Sequence, residues 1–351
     1  MGAVRLFLAL VVAYDHWRTE LSPRSIVLDT NLTFGFNAGV AVVYFYVVSG
    51  FLITYGLSHK YGSDTKAFYR ARFIRIFSLY WPLVLVMFLL VPTSWARFVA
   101  GSPLDHFTGI FLIGIDWSMA FSTYPALNDG ARVYGLTQAW TLGAELVFYI
   151  FAPWLMRSWK LGAALLALSF GVRAGFVIAN GPGFGDGLWT YHFAVSTFGF
   201  FMLGHLVCLA SQRWAVLLRP SLGFVLLVIS FALMNEGVRI PAFDTPYFWG
   251  SALCFTMALP GLFEATKNVR WLNALGDLSY PVYLIHYAVL IWSVPLLDIA
   301  IASAIASPLT IGYGSMAVYL LASILAAAAA HRLLEIPVTN LMRAVRIPRW
   351  A

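Results

Sequence analysis

Ten stretches of mainly apolar residues, each about as long as a bilayer is thick, run through this chain near 1–18, 37–57, 73–92, 137–157, 161–180, 188–211, 219–235, 246–264, 278–298 and 308–332. A spanning helix needs about 20 such residues, and inside hydrocarbon every backbone N–H and C=O must find its partner within the protein. Only 11% of the residues are charged, the mean hydropathy is +0.80 and 61% are hydrophobic. A soluble domain carries about 25% charged residues. The expected fold is therefore all-α: a polytopic transmembrane helical bundle of about ten spans forming a single integral membrane domain over 1–351. The 13 Trp, 17 Tyr and 28 Phe suit aromatic belts at two interfaces.

The stretch 104–122 is the ambiguous one, and eleven spans result if it crosses. Lys and Arg collect on the cytoplasmic side of membrane proteins. With ten spans and both termini cytoplasmic, most of the 22 Lys and Arg lie inside. Crossing at 104–122 would carry Arg157, Lys160, Arg213, Arg219, Lys267 and Arg270 outward. The ten-span arrangement is preferred, which makes 92–136 a long outer loop with room for a re-entrant or interfacial helix. The same bias accounts for the formal charge of +7 without a nucleic-acid partner. Cys208 and Cys254 sit in apolar segments, and no HExxH, CxxC or carboxylate cluster is spaced for a metal. Asp15, His16 and Trp17 follow the first apolar run where a signal peptide would need small residues, so this run reads as an uncleaved span.

Within this frame the ionisable residues at membrane depth carry the functional signal, because each is costly in lipid unless it faces a cavity or a partner. Arg5 and His16 are eleven residues apart, close to three helical turns, so they share one face about 16 Å apart along the axis. Asp15 lies about 100° around the helix from His16 and need not touch it. Arg72 and Arg75 are one turn apart at the inner end of the third span. Interfacial anchoring accounts for part of that charge; the sharper reading is a phosphate clamp, since a guanidinium fork binds phosphate bidentately. Glu145 lies mid-span with Tyr149 one turn later, and a buried carboxylate must be paired or protonated. Arg5, Arg173, His16 and His286 are its available partners, with a purely structural helix clamp as the alternative. His286 is deep in the ninth span and is either a cavity residue or an interhelical link. His192 and His205 read as interhelical links, while His59, His106 and His331 carry no signal. Ser49 precedes Gly50, a pair suited to close helix approach.

Taken together, these residues resemble the acyltransferase-3 family of bacterial membrane O-acyltransferases. Arg5 and His16 fit its Arg-x10-His signature, and Phe45 to Ile53 fit its F-F-x-x-S-G-F-L-I segment. Arg72 and Arg75 fit its Arg-x-x-Arg pair. Trp140, Leu142, Glu145, Phe148 and Tyr149 fit W-S-L-x-x-E-x-x-F-Y, with Thr141 where Ser is usual; Ser78 likewise stands where Pro is usual. SYPVYLIHY resembles its S-Y-x-x-Y-L-x-H stretch, and Glu335 with Pro337 its C-terminal E-x-P.

The resemblance implies transfer of an acyl group, acetyl by default, from cytoplasmic acyl-CoA to a hydroxyl of a carbohydrate acceptor such as a polysaccharide, lipopolysaccharide or glycolipid. It also implies a place in the bacterial inner membrane, with acyl-CoA as a donor substrate and no bound cofactor or metal. Arg5, Arg72 and Arg75 are expected to bind acyl-CoA, and His16 to act as general base or as the site of an acyl-histidine intermediate. Asp15 is expected to set its tautomer, Glu145 to orient a cavity Arg or His, and Ser49, Tyr149 and His286 to line a continuous cavity. The rival from another class is a transporter of a lipid-linked glycan or a small anion, although the two-fold repetition common in transporters is not evident here.

Overall fold

The computed structural model describes residues 1–24, 26, 35–90, 93–117, 136–180, 188–237, 245–303 and 307–345. They form helices α1 (Gly2–Leu21), α2 (Ala38–Gly56), α3 (Thr65–Leu90), α4 (Thr93–Ala100), α5 (Pro103–Phe111), α6 (Trp140–Leu155) and α7 (Trp159–Asn180). There follow α8 (Ala194–Arg213), α9 (Pro220–Gly237), α10 (Pro246–Thr266), α11 (Arg270–Ala302), α12 (Pro308–Ala330) and α13 (Ile336–Ala344). Several starts are written in the sequence. The side chains of Asn37, Thr245 and Ser307 accept from the backbone amides of Val40, Phe248 and Thr310, and proline opens α10 and α12.

Every stretch expected to span overlaps one of these helices. Among the described residues six helical segments are long and apolar enough to cross a membrane: 38–61, 65–90, 159–179, 194–213, 270–302 and 310–344. α6 and α9 are apolar but shorter. The ambiguous stretch 104–122 is not one continuous helix. α5 ends at Leu112, whose φ of 61° is left-handed, and Gly114 follows at 81°. Nine residues of helix reach only about 13 Å against a hydrocarbon core of about 30 Å. Instead the end of α5 is bonded to α3: the Tyr80 hydroxyl donates to the Gly109 carbonyl and Trp81 Nε1 to that of Ile110 at 3.0 Å. The rest of loop 92–136, from 118 to 135, lies outside the described residues, as does the glycine-rich turn 181–187.

α1 packs between α2 and α11, and α2 packs along α8. The second contact depends on glycine: a Cβ on Gly50 would run into the Phe201 backbone and one on Gly204 into that of Val47. Close approach of small residues is how helices associate without a hydrophobic drive between them. α2 and α8 are two-thirds buried, whereas α7 is 17% buried over its most apolar window. α7, α9 and α12 turn Leu168, Ile178, Val225, Val228, Val318 and Leu325 outward, a surface suited to hydrocarbon.

Candidate active site

α1 supplies Arg5 and His16, each of which lines a chamber, and a third cavity opens beside α3 and the C-terminal segment. The largest is an open basin of about 1240 Å³ whose walls carry Lys60, Lys66, Arg70, Arg72, Arg75 and Arg343. A chamber of about 70 Å³ is lined by Arg5, Tyr46, Glu145, Tyr280 and Tyr283, and another of about 80 Å³ by His16, Gln138, Trp140, Tyr191 and Tyr287. The two chambers share Val42, Thr141 and Tyr283 as common walls. The two chambers thus adjoin, while the basin shares no lining residue with either.

Two residues of α11, Tyr280 and Tyr283, line these chambers, whereas Ser49, Tyr149 and His286, expected to line the cavity, line none of the three. Tyr280, Tyr283 and His286 recur every three residues and so climb one face of the helix. Tyr280 lines the Arg5 chamber, lies under the Arg75 guanidinium at 5.0 Å and donates to the Ile76 carbonyl at 2.6 Å. Tyr283 is hydrogen-bonded to Thr141 at 2.6 Å and donates to the Gln138 carbonyl at 3.0 Å, closing the wall between the chambers. One turn further, His286 Nε2 meets His16 Nδ1 at 2.9 Å.

Local backbone irregularities also sit at the cavities. Three five-residue π-helical turns, Leu57–Tyr61, Leu188–His192 and His331–Glu335, each contribute lining residues. Lys60, Tyr61, His331 and Glu335 face the basin, and Tyr191 faces the His16 chamber. Such turns re-aim side chains and are frequent at functional sites. Pro82 and Pro281 lack the N–H that would bond the carbonyls of Ser78 and Asp277, four residues earlier, and both of those residues line the basin.

Three side-chain bonds join the six motif segments in pairs. His16 meets His286 across 270 residues, Ser49 donates to Glu145 across 96, and Arg75 Nη1 bonds Glu335 Oε1 at 3.0 Å across 260. The last pair extends to His331, whose Nδ1 lies 2.7 Å from Glu335 Oε2.

Some expected roles move. Asp15 does not set the tautomer of His16: one oxygen takes Arg18 at 2.7 Å and the other the backbone amide of Ala38 at 3.0 Å, so it clips α1 to the start of α2. The 100° offset between neighbouring helical residues is the reason. Glu145 lines the Arg5 chamber and not the His16 chamber. Arg173 is buried against the carbonyl of Thr190 and the ring of Phe200, away from Glu145. Arg75 is engaged by Glu335 and Arg72 is hydrogen-bonded to Tyr61, so each half of the expected clamp already has one protein partner. Arg72 lies over Tyr149 at 5.8 Å, and its buried Nε has no hydrogen-bond partner. His205 does link helices, through Thr54 at 3.0 Å, while His192 lies against Trp140, its ring tilted by 47° with centroids 4.3 Å apart and its Nδ1 without a hydrogen-bond partner. His331, without signal in the sequence, is part of the basin wall; four-residue spacing to Glu335 was the one available hint.

An acyltransferase domain matches residues 1–330. The chain belongs to the acyltransferase-3 family. Nodulation protein 10 of Rhizobium leguminosarum bv. viciae is 26% identical over 322 residues, covering 82% of this chain and 81% of the relative. No solved structure matches. Membership makes the chain an acyltransferase of the membrane, and the transporter alternative gives way to it. The pairing of the acyltransferase-3 motif segments across the bundle is what draws the family's scattered residues to one axis.

Proposed function

We propose that this acyltransferase moves an acyl group, acetyl by default, from cytoplasmic acyl-CoA to a hydroxyl of a carbohydrate acceptor at the far side of the bacterial inner membrane. The observation that carries the reading is the succession of compartments: a basic basin, the Arg5 chamber whose Tyr280 lies under Arg75 of the basin, and the His16 chamber that shares Val42, Thr141 and Tyr283 with it. The basin's concentration of Lys and Arg suits the cytoplasmic side and a polyanion such as the phosphates of CoA. Arg72 has a buried donor without a protein partner, and an unmade hydrogen bond of that kind favours a ligand that completes it.

The basin is wide enough for the nucleotide end of CoA, and the chambers beyond it are narrow. The acyl end extends through the Arg5 chamber, and Tyr283 yields to let the thioester reach His16. On the acceptor side Gln138 donates its amide to the Leu284 carbonyl at 2.6 Å, which turns its own unpartnered oxygen toward a hydroxyl. Trp140, Tyr191 and Tyr287 supply apolar faces for a sugar ring.

In direct transfer, His16 Nε2 takes the hydroxyl proton as the oxygen attacks the thioester carbonyl. The C–S bond then breaks, and the proton passes from His16 to the departing CoA thiolate. The products are an ester and free CoA. The acyl-histidine route uses the same nitrogen as nucleophile. Purified protein in lipid nanodiscs is to be given radiolabelled acetyl-CoA with candidate glycans. The intact protein transfers label, and His16→Ala, still inserted and folded, loses about 10²–10⁴-fold in rate. Full activity in His16→Ala overturns the assignment.

A further inference from the structure

The hydrogen bonds around His286 specify which nitrogen of His16 carries the proton. His286 is fully buried in α11. Its Nδ1 lies 3.1 Å from the Val282 carbonyl, one turn earlier. A carbonyl oxygen only accepts, so Nδ1 of a neutral His286 carries the hydrogen and Nε2 presents a lone pair. That Nε2 is 2.9 Å from Nδ1 of His16. A bond between an acceptor and a ring nitrogen needs the hydrogen on the latter, so His16 holds its proton on Nδ1. Its Nε2 is then the basic nitrogen left to the chamber that His16 lines. The two rings are within 15° of parallel, with centroids 5.1 Å apart, and the Tyr319 hydroxyl donates to the His286 carbonyl at 3.1 Å.

We propose that His286 is a positioning residue: it accepts from His16 Nδ1–H, sets the tautomer and ring angle of His16, and steadies the imidazolium formed when Nε2 receives a proton. This rests on the reading of His16 as the proton-accepting or nucleophilic residue, and both routes need the same Nε2 lone pair. The arrangement is the backbone carbonyl–imidazole–imidazole counterpart of a carboxylate–imidazole pair. A neutral acceptor is suited to membrane depth, where a second buried charge would be costly. Asp15, next to His16 in the chain, is committed to Arg18 and Ala38 and leaves this position to His286.

Two measurements test the relay separately from the function. In protein carrying ¹⁵N-histidine, solid-state NMR of the neutral form in lipid is expected to find the His16 proton on Nδ1, and to find it on Nε2 in His286→Leu. The proton on Nε2 of His16 in the intact protein overturns the proposal, whatever the activity. In kinetics, His286→Leu is expected to lower kcat about 10²–10³-fold with the acyl-CoA KM little changed, since orientation of a general base is lost while the basin is intact. His286→Gln, whose amide oxygen accepts at about the place of Nε2, is expected to recover activity to within about tenfold of the intact enzyme. A purely structural residue would move stability and KM along with kcat and would not be rescued by Gln. If His286→Leu does not fold, the Gln variant and the tautomer of the intact protein decide the matter. Activity lost in His16→Ala but kept in both His286 variants overturns the relay alone; activity kept in His16→Ala overturns the proposed function instead.

Discussion

Arg72 carries a guanidinium Nε that is buried and lacks a hydrogen-bond partner, between the rings of Phe68 and Tyr149 at 5.9 and 5.8 Å. Those aromatic faces hold a planar cation well and a compact ammonium poorly. Arg72→Lys is therefore expected to raise the acyl-CoA KM about tenfold with kcat nearly unchanged, as for loss of one charge-assisted bond of uniform binding. Unaltered KM in steady-state assays would remove Arg72 from donor recognition. The charge of Arg72 was readable in the sequence, and so was the shared face of Arg5 and His16, because helical periodicity is a local property. The commitment of Asp15 to Ala38 was not readable. It depends on where α2 begins relative to the last turn of α1, and no spacing within α1 specifies that.

At the scale of elements, the C-terminal segment is tied to the N-terminal half of α3. Glu335, at the end of the π-helical turn that joins α12 to α13, bonds both Arg75 and His331. Glu335 is buried while the Arg75 side chain is 29% exposed, so solvent screens part of the pair. Glu335→Gln is expected to cost about 1 kcal/mol of stability, seen in thermal unfolding in detergent. The same change frees Arg75 over the basin and shifts the acyl-CoA KM more than kcat. Equal loss of both would mean that the ion pair serves the chemical step. The sequence marks Glu335 only as the acid of an E-x-P motif at the end of an apolar segment. Its role depends on the π-helical turn, whose extra backbone residue rotates the carboxylate toward α3, and apolar periodicity does not signal such turns.

For the molecule as a whole, the proposed route gives the reaction a direction, with the donor entering from the basin and the acceptor meeting it at His16. Lys66, exposed at the basin, reports which side that is. In a variant with Cys208 and Cys254 replaced by serine, Lys66→Cys is expected to react with a membrane-impermeant maleimide in inverted vesicles and not in intact cells. Acetyl-CoA should slow the labelling. Labelling in intact cells would reverse the orientation and with it the assignment of donor side.

The sequence by itself determined the class: long apolar runs with few charges have no stable folded state in water and satisfy their backbone as helices in lipid. It also determined which residues are expensive at membrane depth and hence where chemistry is to be sought. The partners of those residues were decided by tertiary structure alone. His16 with His286, Ser49 with Glu145 and Arg75 with Glu335 are joined across 270, 96 and 260 residues. Helix rotation and depth decide such meetings, and both are set by packing: by the contact of Gly50 with Phe201 and of Gly2 with Gly276, where only a missing Cβ lets two backbones come together. Hydropathy is nearly blind to rotation in helices that are apolar all round, so the one-dimensional pattern names the ionisable residues and leaves their pairing to the fold.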